Sequence, residues 1–123
     1  MSSESNQYWR DALIGYVRSG ECDLSNRQMA LLLLVYTTPG PQTVRGLAEN
    51  LRVSKPVITR ALNTLSALGY LRRERDDSDR RSIFIARTST GAHFLERFEK
   101  IIDHNWSTYR HREISPPERA NAA

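Results

Sequence analysis

The chain has 123 residues and carries 18 Lys and Arg against 14 Asp and Glu, a length that suits one domain of ordinary size. Its 39% hydrophobic and 26% charged residues exclude wholesale disorder, and its longest apolar run, residues 29–36, is far shorter than the roughly 20 residues that cross a bilayer. The single cysteine, Cys22, excludes an internal disulfide, and the first residues lack the pattern of a secretory signal, so we expect a cytoplasmic protein with no membrane segment.

Four helical patterns follow one another in the first half of the chain. Apolar residues recur on one helical face from Tyr8 to Arg18, and the apolar segment from Asn26 to about Thr38 predicts a central core helix. A short helix from Val44 to Asn50 precedes a longer one from Lys55 to Leu68. The predicted N-caps are Ser25, Thr43 and Ser54, and Pro56 fits the first turn of the last helix.

The second half of the chain predicts a β-hairpin followed by a long helix. Residues 70–75 and 82–87 are strand-like on either side of a polar stretch, in which Asp76 and Asp77 are expected to shape the turn. The segment from Ser89 to about Arg112 has a helical pattern throughout, and we expect the tail after it to be loose.

The two neighbouring helices at 44–50 and 55–68 have the pattern of a helix-turn-helix. The small Ala48 allows a close helix crossing, and Arg52 stands in the turn where glycine is usual. The second helix has an apolar inward stripe of Ile58, Ala61, Leu62 and Leu65. Its outward stripe is Lys55, Pro56, Thr59, Arg60 and Asn63. These are short polar or basic residues at the end of the helix that enters a major groove in this motif, although an ordinary helical hairpin in a core remains the alternative.

The positive charge is concentrated in the middle of the sequence. The segment 44–87 contains ten basic and five acidic residues, whereas the rest of the chain has a slight acidic excess. Such a local excess is typical of a surface that binds a polyanion such as nucleic acid. The alternative is a compositional preference for arginine, spread over solvated faces.

From Leu24 to Phe98 the sequence resembles the MarR family of bacterial winged-helix transcription regulators. Six segments carry the resemblance in order: LSNRQ at 24–28, VRGLAENL at 44–51, VSKPVITR at 53–60, LSALGYLRR at 65–73, DDSDRRS at 76–82 and RTSTG at 87–91. In the last segment Arg87 replaces the Leu that is usual in the family. The resemblance implies a mainly α fold with a small β-hairpin wing (α+β), a winged helix-turn-helix with terminal dimerisation helices.

The resemblance also implies a recognition helix, 55–68, in the major groove of double-stranded DNA and a wing, 72–87, over the minor groove. Within this frame Arg60 can donate two hydrogen bonds to guanine, and basic side chains around it can contact phosphates. Asp79 would hold the Arg81 guanidinium in the minor groove, the alternative being a surface ion pair. The predicted DNA-binding residues are Arg45, Ser54, Lys55, Pro56, Thr59, Arg60, Asn63, Arg72, Arg73, Arg75, Asp79, Arg80 and Arg81.

We expect one winged-helix domain, 1–123, that forms a homodimer. Residues 22–91 would be its core and wing, 6–20 and 92–113 its dimerisation helices, and 114–123 its tail. Apolar stripes on both terminal helices have no evident partner in one chain, and a monomer with a loose last helix is the alternative. The predicted interface residues are Trp9, Leu13, Tyr16, Val17, Phe98, Ile102, Trp106 and Tyr109.

Other functions receive less support from the sequence. No phosphate-binding loop or metal-ligand spacing is present, so we expect no enzyme activity, no cofactor and no metal. His93, His104 and His111 are too far apart along one helix for a single ion. A redox switch at Cys22, a small-molecule effector of unknown identity and a winged helix that docks a protein remain open. A repressor is favoured, although the sequence does not distinguish repression from activation.

Overall fold

The computed structural model describes residues 3–79 and 82–114, with side chains as far as His104. Its elements are α1 Glu4–Arg18, α2 Asn26–Thr37, β1 Gln42–Thr43, α3 Val44–Leu51, α4 Lys55–Ala67, β2 Leu71–Arg75, β3 Ile83–Arg87 and α5 Ser89–Ile114. The predicted fold class, helices with a small β-hairpin wing, is confirmed. Helix α1 begins four residues before its predicted start, because the Ser3 hydroxyl accepts a hydrogen bond from the Asn6 amide and caps it there.

The sheet has one strand more than the sequence predicts. Its three strands are antiparallel in the order β1-β3-β2, with Gln42 opposite Ile85 and Arg73 also opposite Ile85 on the other side. Strand β1 has only two residues, too few for an alternating pattern to be visible. It pairs the segment before α3 with the inner strand of the wing.

The helix starts follow the predicted caps, with one difference at α4. Ser25 and Gln28 form a capping box at α2, and the Thr43 hydroxyl accepts from the Gly46 amide at α3. Ser54 has the extended backbone of an N-cap, yet its side chain makes no capping hydrogen bond, which corrects that part of the prediction. Pro56 lies in the first turn of α4, where a missing amide hydrogen costs nothing.

The chain divides into two compact units, of which residues 24–95 form the larger. Its core is apolar and draws on every helix of the unit. The inward residues predicted for α4 are all buried, which confirms that stripe, and the Tyr70 and Phe94 rings stack at 4.5 Å between centroids. The buried residues of α2 and α3 that meet this core are Leu31, Leu32, Val35, Leu47 and Ala48.

A hydrogen-bond network joins the end of α2 to the start of α5. The Tyr36 hydroxyl donates to the Tyr70 carbonyl at 2.7 Å and accepts from the Thr88 amide at 2.9 Å. Arg87 donates hydrogen bonds to the carbonyls of Val35 and Thr38 at 3.0 and 3.1 Å. It thereby satisfies carbonyl groups at the C-terminal end of α2. This contact gives the Arg87 side chain a structural partner within the larger unit.

The second unit comprises residues 1–23 and 96–123. Tyr16 meets Phe98 edge-on at 5.9 Å between ring centroids, and its hydroxyl donates to the Cys22 carbonyl. Burial, and then the acidic groups around the ring, raise the pKa of Tyr16 to about 12, which keeps the hydroxyl protonated as a donor. In the described part of the chain no helix is long and apolar enough to cross a membrane.

Candidate nucleic-acid interface

The exposed face of α4 carries the residues predicted to contact DNA bases. Lys55, Pro56, Thr59, Arg60 and Asn63 are all exposed, opposite the buried stripe of the same helix. The helix is therefore amphipathic with a polar face at its N-terminal end, as a helix that enters a groove requires.

The turn before α4 is built with a strained residue. Arg52 ends α3 in the left-handed conformation at φ 56°, and the next amide, of Val53, bonds back to the Ala48 carbonyl at 3.1 Å. This closes α3 tightly and directs the chain into α4. The left-handed backbone of Arg52 agrees with its place in a turn where glycine is usual.

A contact between the wing and the recognition helix was not predicted. The Arg73 guanidinium of β2 donates to the Asn63 amide oxygen at 2.7 Å and to the Thr59 carbonyl at 3.4 Å. The sequence analysis expects Arg73 to contact DNA phosphates. In the structure its guanidinium is hydrogen-bonded to α4. The sequence does not predict this contact, because Arg73 and Asn63 are ten positions apart and only the packing of β2 against α4 brings them together.

Two further predicted phosphate contacts are arginines in ion pairs. Arg72 donates to the Glu74 carboxylate, from its Nε at 2.7 Å, and Arg45 pairs with Glu49 at 3.3 Å across one turn of α3. All four side chains are largely or partly exposed, so these pairs are weak and can open toward a phosphate. Among the described residues, Lys55 and Arg60 form no ion pair, which leaves their charge uncompensated on the α4 face.

The wing turn is held by its acidic residues. The Asp76 carboxylate accepts from the Ser78 amide at 2.9 Å and from the Ser78 hydroxyl at 2.8 Å, and these bonds lower the pKa of Asp76. Asp79 accepts from the Ser82 hydroxyl at 3.1 Å. The shaping role predicted for Asp76 is confirmed. Arg80 and Arg81 lie outside the described residues, and exposed Arg75 ends β2 beside the turn.

The residues predicted for dimerisation lie on α1 and α5 and differ in their exposure. Trp9, Leu13 and Val17 lie along one face of α1 and are 58%, 47% and 76% exposed. Tyr16 and Phe98 contact each other within the chain, and their predicted place in a dimer interface stays a prediction. Ile102 is half-buried. Trp106 and Tyr109 belong to α5, but their side chains lie outside the described ones.

Few of the described residues could bind a metal ion or act as a redox switch. The described residues contain no group of three His, Cys, Asp or Glu side chains that could hold a metal ion. Cys22 is half-buried next to the ion pair between Glu21 and Arg97. The sequence also did not predict the hydrogen-bond network of Tyr36 and Arg87, because its members come from distant segments of the chain.

Comparison with known proteins relates the sequence to a family of regulators. Residues 23–82 match the family model described as the MarR family. The chain is 30% identical over 83 residues to the uncharacterized HTH-type transcriptional regulator YkoM of Bacillus subtilis strain 168, an alignment covering 68% of this chain and 53% of that protein. The chain thus spans about half the length of this curated relative.

Solved structures with the same fold come from similar regulators. MepR of S. aureus bound to ethidium bromide aligns with a TM-score of 0.71 at 23% identity, covering 96% of this chain and 82% of MepR. A mutant of MepR bound to an oligodeoxyribonucleotide aligns with a TM-score of 0.73 at 23% identity, covering 96% and 83%. The transcriptional regulator Tm0710 of Thermotoga maritima aligns at 0.70 and 22% identity, covering 94% and 78%. These solved structures share the fold of this chain.

Proposed function

We propose that this chain, whose residues 23–82 match the MarR family model, is a transcriptional regulator that binds double-stranded DNA of defined sequence. Helix α4 enters the major groove with Arg60 directed at a guanine, and the hairpin of β2 and β3 follows the adjacent minor groove. Lys55, Arg45 and Arg72 contact phosphates, and the Ser54 hydroxyl, which makes no capping bond, is available to a phosphate at the helix N-terminus.

The observation that carries the proposal is the division of α4 into two faces. One face is buried, whereas the other presents Lys55, Thr59 and Arg60 to solvent, and among the described residues neither cation forms an ion pair. A helix with this division can contact an anionic groove without first breaking an internal ion pair. The MepR structure with an oligodeoxyribonucleotide has the same fold and supports this assignment.

We also propose that the protein acts as a homodimer on a pseudo-palindromic operator. The exposed apolar face of α1, formed by Trp9, Leu13 and Val17, is the surface that a second copy covers. Ile102, Trp106 and Tyr109 of α5 extend the interface, as the sequence predicts. Two-fold symmetry then presents two recognition helices to half-sites about one DNA turn apart.

Repression is the proposed outcome of binding, since a dimer that covers a promoter excludes the polymerase. A small-molecule effector is proposed as the signal that releases the DNA, supported by the MepR structure with ethidium. Effector identity and target genes follow from experiment and not from the residues.

The test begins with selection of bound fragments from the host genome, followed by gel shift on the enriched sequence and on random duplex. We expect an enriched inverted repeat, bound with steep salt dependence. A reporter placed behind the enriched sequence then distinguishes repression from activation. Absence of retardation even at low salt would point to a protein-docking winged helix instead.

A further inference from the structure

Arg73 of β2 fixes one side chain on the exposed face of α4. One of its nitrogens, Nη2, lies 2.7 Å from Asn63 Oδ1 and 3.4 Å from the Thr59 carbonyl, so a single cation spans one turn of the recognition helix. A hydrogen bond from a guanidinium is charge-assisted and stronger than one between neutral groups. All three residues belong to the larger compact unit.

The bond determines which end of the Asn63 amide faces outward. An asparagine amide has an oxygen that accepts and an NH₂ group that donates, and either end can be turned toward a ligand by rotation of the amide. Arg73 can only donate, so it holds the oxygen on the wing side. The NH₂ group is then the end left to meet a partner beyond the exposed face.

In a major groove this orientation selects among bases. Guanine presents N7 and O6, and thymine presents O4, all of which accept hydrogen bonds. Adenine presents the N7 acceptor beside an NH₂ donor, and cytosine presents only an NH₂ donor. Asn63 lies three and four residues after Arg60 and Thr59, so it shares their outward face. An amide fixed as a donor therefore favours an acceptor edge at its base pair and disfavours cytosine.

We propose that Arg73 is a positioning residue for sequence recognition, which locks Asn63 as a hydrogen-bond donor toward a guanine or thymine in each half-site. The inference rests on the proposed function, because it needs α4 in a major groove. It gives Arg73 a role that differs from the phosphate contact predicted from its charge.

The experiment compares Arg73→Met with wild type in selection from a random duplex library, followed by affinity measured against salt. We expect Arg73→Met to lose the preference at one base pair per half-site, roughly three- to tenfold between the best base and cytosine, as for one hydrogen bond. Asn63→Ala should lose the same preference, and the double variant should lose no more than either single one, since they act through one contact. Arg72→Met, the neighbouring arginine paired with Glu74, is the matched control for loss of one charge: it should lower the affinity and the salt slope as a lost phosphate contact does, and keep the base preference.

The outcomes separate this inference from the proposed function. A library from which wild type enriches no sequence would overturn both. If wild type enriches an operator and Arg73→Met keeps the full preference while its salt slope falls by about one, Arg73 is a phosphate contact and only the positioning role is wrong. Loss of the preference in Arg73→Met and Asn63→Ala with an unchanged salt slope would support it.

Discussion

Arg52 shows what a single residue costs when it takes a position suited to glycine. Its φ of 56° closes the turn between α3 and α4, whereas the equivalent turn after α4 uses Gly69 at φ +80°. A left-handed conformation is disfavoured by about 1 kcal/mol or more for a residue with a Cβ. The chain therefore carries local strain directly before α4.

We expect Arg52→Gly to raise the free energy of unfolding by up to about 1 kcal/mol, because glycine adopts this conformation without steric cost. Chemical denaturation measures the change. Gly69→Ala is the matched control and should lower stability, because alanine is strained at the φ of +80° that Gly69 adopts. Its new Cβ would cause no clash, since the nearest atom is Thr90 Cγ2 at 3.7 Å. A less stable Arg52→Gly protein would mean that the arginine side chain contributes more than its conformation costs.

Arg60 is the residue that we expect to carry base recognition. Arg60→Ala should weaken binding to the selected operator by ~1–3 kcal/mol while binding to random duplex stays nearly the same, because a bidentate contact to guanine is lost and a phosphate contact is not. Competition gel shifts measure both affinities. Arg18→Ala, an exposed arginine on α1, serves as the control and should change neither. An equal loss on both DNAs would make Arg60 a phosphate contact.

At the scale of elements, the wing is a short hairpin whose turn is ordered by its own acids. Asp76 holds the Ser78 amide and hydroxyl, and Asp79 holds the Ser82 hydroxyl. The turn contains three carboxylates, of Asp76, Asp77 and Asp79, and carboxylates next to DNA repel its phosphates. We therefore expect these residues to have a structural or positioning role that offsets the repulsion. Asp76 has such a task in the turn. For Asp79 the family motif implies a second task, the positioning of Arg81.

We expect Asp79→Ala to weaken operator binding, although it removes a negative charge, and Arg81→Ala to weaken it and relax the preference for A/T-rich flanks. Arg80→Ala should mainly lower the salt slope, by roughly one. Affinity measured as a function of salt provides all three results.

The control for the wing is Ser82→Ala, which removes the hydroxyl partner of Asp79 and keeps the carboxylate. It should bind nearly as wild type if Asp79 acts on Arg81. A Ser82→Ala protein as weak as Asp79→Ala would assign the effect to the turn, and a tighter Asp79→Ala protein would show that the carboxylate only repels DNA.

At the scale of the whole molecule, the apolar face of α1 is the feature that a single chain leaves exposed. Trp9, Leu13 and Val17 follow one another at intervals of four residues, so they form one continuous stripe on the helix. Exposed aromatic and aliphatic side chains in such a row are typical of an interface and not of a solvated surface. Tyr16 and Phe98 of the same unit, in contrast, already contact each other.

We expect Val17→Glu and Trp9→Glu to shift the protein from dimer to monomer and to weaken operator binding, because a buried unpaired carboxylate is costly and a monomer contacts one half-site only. Sedimentation velocity measures the mass. Leu68→Glu places the same charge on an exposed apolar residue of the larger unit and should leave the dimer intact. Removal of residues 98–123 should give monomers or insoluble protein; a folded, tight DNA binder after that truncation would contradict the dimer.

The sequence by itself determined what depends on neighbours along the chain. Helix periods, the Ser25 N-cap and the inward stripe of α4 all follow from residues within a few positions of one another, so their patterns are visible in one dimension. The order of the motifs along the chain is the basis of the family resemblance, and that resemblance predicted the fold.

Only the tertiary structure decided which arginine does what. Arg73 meets Asn63 ten residues away and Arg87 meets Val35 across 52 residues, and the two-residue strand β1 exists only because β3 lies beside it. Such contacts depend on how helices and strands pack, which brings distant segments within hydrogen-bond distance. An arginine has the same charge on a wing, at a helix end or against an asparagine, so its residue type alone does not identify the group that it contacts.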